Sequence, residues 1–152
     1  MKRKKRVYLD TSVISALFDE KNPERKLLTQ AFFKEIKNFE PFISEITIAE
    51  AERTPDPKIR KKIKDVIQLF PVFYLTGEVE WLANQYIRYG AVPENYPEDS
   101  YHIAVAVINE VDYLLSWNFR HIVRAKTKDI VRMVNTLNNF KQIEIMTPAE
   151  LL

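Results

Sequence analysis

Four polar residues stand where an otherwise apolar pattern would not need them. Asp10 closes the run Val7–Tyr8–Leu9 and is followed by Thr11, Ser12 and a second apolar stretch. Glu50 lies in ISEITIAEAER between Ala49 and Ala51, close to Ile46 and Ile48, whereas Glu45 and Glu52 read as solvent-facing. Asp99 opens the apolar segment PEDSYHIAVA, and Asn118 follows DYLLSW. Carboxylates brought to one place repel unless something positive holds them. With no cysteine in the chain and no ligand-type histidine pair, a hard oxygen donor set points to Mg²⁺ or Mn²⁺ rather than zinc. Such an ion can activate water for phosphodiester cleavage. Each residue also has a plainer use. Asp10 and Asn118 can cap helices, Glu50 can be a surface glutamate, and Asp99 can complement a helix dipole.

These residues become a site only if the elements deliver them to one edge. Short apolar runs at Arg6–Leu9, Pro41–Ser44, Val72–Leu75, Asp112–Ser116 and Gln142–Ile145 read as buried strands. Between them the spacing predicts helices over Ser12–Phe18, from Pro23 to Asn38, Glu45–Arg53, onward from Pro57 to Leu69, and from Gly77 to Tyr89. Further helices are expected over Glu98–Glu110, where the sequence is apolar nearly all round, briefly over Trp117–Ile122, and over Lys126–Leu137. Strands alternating with helices predict a single α/β domain over 1–152, a central parallel sheet flanked by helices. In such a sheet ligands bind beyond the carboxyl ends of the strands, where all four residues fall.

The ordered set resembles the PIN-domain nucleases, most closely the VapC-type toxins of toxin–antitoxin pairs. LDTSVI is similar to the family's first motif, with Asp10 as metal ligand and Ser12 as a supporting hydroxyl. ISEITIAEAER places the second acid on Glu50, PEDSYHIAVA the third on Asp99, and DYLLSWN puts Ser116 and Asn118 at the polar positions of the fourth. The resemblance implies a PIN-like three-layer sandwich and a Mg²⁺- or Mn²⁺-dependent endoribonuclease. Asp10, Glu50, Asp99 and Asn118 would be its catalytic and metal-binding residues. Where the family often has Asp, Asn118 brings an oxygen without charge, so three negative charges would hold one ion tightly. Arg120, His121, Arg124 and Lys126, with Lys128, are candidates to bind flanking phosphates. His121 can equally be a packing histidine, His102 reads as core, and Trp117 and Phe119 read as packing aromatics that could also stack a base. RNA, a small antitoxin protein and a second copy of the chain are the implied partners. The helix from Pro23 and the basic helix Ile59–Leu69 are candidate antitoxin surfaces.

The bulk composition fits without deciding. A chain of 152 residues with net charge +2 can bury a core and carries no global demand for nucleic acid. Positive charge is concentrated at Lys2–Arg6 and Lys58–Lys64, the first read as a flexible basic leader over residues 1–5. The longest apolar run, Ile103–Ile108, is too short for a membrane, and Asp10 interrupts any signal-peptide pattern, so a cytoplasmic location is expected. Two rival functions remain at this stage. An aspartyl phosphotransferase would also place Asp at the end of strand one, but needs a second Asp where Ser12 stands. A catalytically inactive PIN-fold module would grip RNA or protein without cutting.

Overall fold

The computed structural model describes residues 3–152. Among them, five strands are β1 (Lys5–Leu9), β2 (Phe39–Ser44), β3 (Val72–Phe73), β4 (Tyr113–Leu115) and β5 (Glu144–Met146). The helices are α1 (Thr11–Ala16), α2 (Pro23–Lys34), α3 (Glu45–Glu52), α4 (Pro57–Ile67), α5 (Gly77–Arg88), α6 (Pro97–Ile108) and α7 (Ala125–Leu137). Single 3₁₀ turns occupy Ile36–Asn38 and Pro148–Leu151. Every strand pair is parallel and the order is β3-β2-β1-β4-β5. The expected three-layer α/β sandwich is what the chain forms.

Alternation along the strands builds two cores. Val7 and Leu9, with Ile43, Leu115 and Met146, face Val13, Ile14, Phe32, Ile63 and Ile67 from α1, α2 and α4. Tyr8, Leu114 and Ile145 face the other layer, made by α5, α6 and α7 through Leu82, Tyr86, Ile103, Val131 and Val134. Both faces are covered, which is why the strands read as continuous apolar runs. The helix starts follow local chemistry. The Asn22, Asp56 and Thr76 side chains cap α2, α4 and α5, and Ser44 forms a capping box with Thr47 at α3.

Two expectations fail locally. The third strand stops at Phe73, because its partner β2 ends at Ser44 and leaves Tyr74 and Leu75 nothing to pair with. The segment after β4 is not a short helix. Asn118 Oδ1 accepts the His121 N–H at 2.9 Å and its carbonyl accepts from both Ile122 and Val123, so the segment closes as one side-chain-capped turn and goes no further. Of the basic leader, Met1 and Lys2 lie outside the described residues. Arg3 is bonded to Asp112, and Lys5 already belongs to β1.

Candidate active site

Strands β1 and β4 are neighbours at the point where the chain reverses its direction of travel across the sheet, and both deliver polar residues there. The register Leu9↔Leu115 continues into a bond from the Asp10 N–H to the Leu115 carbonyl at 3.2 Å, setting Asp10 beside Ser116. Asp10 Oδ1 accepts from Ser12 Oγ at 2.5 Å and from the Val13 N–H at 3.2 Å, and Oδ2 accepts from Ser116 Oγ. The two hydroxyls are themselves fixed, Ser12 by the Trp117 N–H and Ser116 by the Asn118 N–H, each at 2.9 Å. Asp10 therefore caps α1 and also sits in a hydroxyl clamp. It is only 3% exposed, and burial raises its pKa despite the field of His102 and the hydrogen bonds of Ser116, Ser12 and Val13.

Glu50 is half-buried on α3, while Glu45 and Glu52 are exposed and bonded to the Leu75 N–H and to Lys64. Its Oε1 accepts from Thr11 Oγ1 at 2.5 Å and meets His102 Nε2 at 2.6 Å. His102 Nδ1 lies 2.5 Å from the Tyr8 hydroxyl, which reaches Ser44 Oγ at 2.7 Å. A buried chain Ser44–Tyr8–His102–Glu50–Thr11 thus runs under the sheet end. Burial opposes a charged His102, but the Glu50 carboxylate outweighs it, helped by Asp10 and Asp99, and holds the imidazole pKa above its ordinary value. For Glu50, burial is likewise outweighed, by His102 and Thr11, and its pKa is lowered. His102 is core, as its sequence context suggested, and it is also a partner of the site. Its spacing, three residues after Asp99 on one helix face, was the available signal.

Asp99 lies in the first turn of α6, and its Oδ2 is 2.7 Å from His121 Nδ1. The His121 ring packs against Tyr96, centroids 4.4 Å apart, and the His121 backbone N–H donates to Asn118 Oδ1. His121 is buried here. Arg124 turns inward to Thr127 Oγ1 and the Ala91 carbonyl, and Arg120 and Lys126 are exposed. Asp10, Glu50, Asp99 and Asn118 are each already hydrogen-bonded within the chain at this end of the sheet. Among the described residues, no three Asp, Glu, His or Cys side chains stand close enough to hold a metal ion. What forms instead is a hydroxyl-clamped Asp10 flanked by two acid–histidine pairs.

The donor chemistry nevertheless fits a hard divalent cation. Asp10 is a buried carboxylate held by neutral donors alone, and Asp10, Glu50 and Asp99 all act on the same imidazole. Oxygen donors of this kind suit Mg²⁺ or Mn²⁺.

The PIN domain family model matches residues 7–122, a span that holds all four candidate residues. The chain is also similar to the crystal structure of VapC20 from Mycobacterium tuberculosis, described as a sarcin-ricin loop cleaving toxin. The TM-score is 0.57 over 76% of this chain and 92% of that one, at 14% identity, a likeness of fold. No curated protein matches the sequence. With β1 central and the acids at its carboxyl end, the chain belongs to the PIN domain family.

Proposed function

We propose that the protein is a metal-dependent endoribonuclease that hydrolyses RNA phosphodiester bonds, and that it is the VapC-type toxin of a toxin–antitoxin pair acting in the cytoplasm. The observation that carries the reading is Asp10, a buried carboxylate at the end of the central strand whose direct hydrogen-bond donors, Ser12, Ser116 and the Val13 N–H, are all neutral. Asp10, Glu50, Asp99 and Asn118 would hold Mg²⁺ or Mn²⁺, which supplies polarisation of the scissile phosphate and a water of lowered pKa. Ser12 and Ser116 fix both oxygens of Asp10, so the carboxylate is oriented before any substrate arrives. His102 and His121 fix one oxygen each of Glu50 and Asp99 by hydrogen bonds. Exposed Arg120 and Lys126 bind flanking phosphates. His121 and Arg124 support the fold of the site from inside. A loop of structured RNA is the substrate class suggested by the description of VapC20. A small antitoxin masks the site, and the chain works as a homodimer. Among the described residues no helix is long and apolar enough to cross a membrane.

The acid–histidine pairs favour one second reading, a PIN-fold module that binds RNA or protein with little or no cleavage. Incubation of an RNA panel with Mg²⁺ or Mn²⁺, against EDTA and against Asp10→Asn, separates the two. Cleavage lost in both controls supports the nuclease, and binding without cleavage supports the module.

A further inference from the structure

Two half-exposed aromatic rings stand at the Asn118–His121 turn, Phe119 within it and Tyr96, at the start of α6, against the His121 ring. Phe119 is 51% exposed and Tyr96 is 44% exposed. Phe119 packs edge-on against Trp117, with centroids 6.3 Å apart. Trp117 is buried in the α1–α2 layer and locked by its Nε1–H, which donates to Thr29 Oγ1 at 2.9 Å. The Arg25 guanidinium, reaching over from α2, lies 5.2 Å from the Trp117 ring centroid and 5.8 Å from that of Phe119. Among the described residues it has no ion pair and donates no hydrogen bond, so its charge and planar face remain available beside the ring. Single exposed aromatics are ordinary on protein surfaces. A rigidly backed ring carrying an uncompensated guanidinium, one residue from Asn118, is a different feature. Nucleic-acid bases stack on such rings and guanidinium planes, while the cation attracts the adjoining phosphate.

We propose that Phe119 and Arg25 form a platform for an unpaired RNA base next to the cleaved phosphate, with Tyr96 as a second aromatic wall beyond His121. The platform requires an unpaired base at that one position, because a base held in a duplex cannot reach it. This rests on the nuclease reading for its meaning, but its test is made in binding as well as in turnover.

The test uses the full chain and single-stranded RNA oligonucleotides carrying 2-aminopurine at one stepped position, in EDTA so that nothing is cut. Stacking quenches the fluorophore at one position with the wild type. Phe119→Ala removes that quenching and raises KM roughly ten- to hundredfold with kcat little changed, and Phe119→Trp restores both. Arg25→Lys keeps the charge but loses the planar face, and recovers only part of the loss of Arg25→Ala. An abasic nucleotide at the quenched position makes wild type and Phe119→Ala equal. Quenching by the wild type without cleavage in metal removes the nuclease reading and leaves the platform standing. Cleavage with Phe119→Ala matching the wild type in KM removes the platform and leaves the nuclease. Absence of quenching by the wild type overturns the platform. So does a Phe119→Ala variant that changes only the molecular mass in solution, which would make the ring a contact between copies of the chain.

Discussion

At the scale of single residues, Asp10 combines a structural use with a cost. Its carboxylate caps α1 through the Val13 N–H, yet burial pushes its pKa above the ordinary value of 3.8. An acid whose folded pKa is raised stabilises the fold while protonated and loses that contribution as pH rises through the folded value. Metal-free Asp10→Asn is therefore expected to melt about 2–4 °C higher than the wild type at neutral pH, on the order of 1 kcal/mol. That gap should close as pH is lowered towards 3.8. Calorimetry in EDTA checks both, and a lower melting temperature for the variant at neutral pH contradicts the account. Asp10, Glu50, Asp99 and Asn118 were legible because each polar residue interrupts an apolar pattern or follows a strand. The histidine partners were not. His102, just before IAVAV, looks like packing, and its spacing from Asp99 marks a shared helix face without showing that its ring bridges Tyr8 and Glu50 across three elements. Phe119 looked like packing and is half-exposed, since the Asn118 turn carries it off the sheet.

At the scale of elements, strand and helix identities followed from apolar runs and caps, while several ends depended on neighbours. β3 shows this, being cut short by the end of β2. Helix ends show it too. Helices α5, α6 and α7 close with the same pair of backbone bonds, of which Ala91 N–H to Tyr86 O, Val111 N–H to Ala106 O and Phe140 N–H to Asn135 O are the ones that reach back five residues. The residue before each donor adopts positive φ: Gly90 at 82°, Glu110 at 52° and Asn139 at 61°. Glycine and asparagine suit that conformation, and glutamate does not. Glu110→Gly is expected to raise stability by about 0.5–1 kcal/mol, read as a higher denaturant midpoint with unchanged slope. No gain, or a loss, would show that Glu110 is not strained there. The end of α5 near Tyr89 was readable, but the strained glutamate after α6 was visible only in the backbone.

At the scale of the whole molecule, the strand order explains why residues from 10 to 118 meet. With β1 central and β4 beside it, the chain's first strand and its fourth end together, and α3 and α6 bring Glu50 and Asp99 towards the same edge. The order of motifs along the sequence matched this arrangement, and the family match over residues 7–122 spans it. The side-chain partnerships within it are a finer matter, because histidine pairs and metal ligation draw on the same oxygens. Diffraction from crystals grown with Mn²⁺, with the anomalous signal located, decides between them most directly. One strong peak is expected in contact with the Asp10 and Asp99 carboxylates, with the histidines displaced from at least one acid. A saturated crystal with no peak at Asp10, and with Glu50 and Asp99 still seated on His102 and His121, would contradict that expectation.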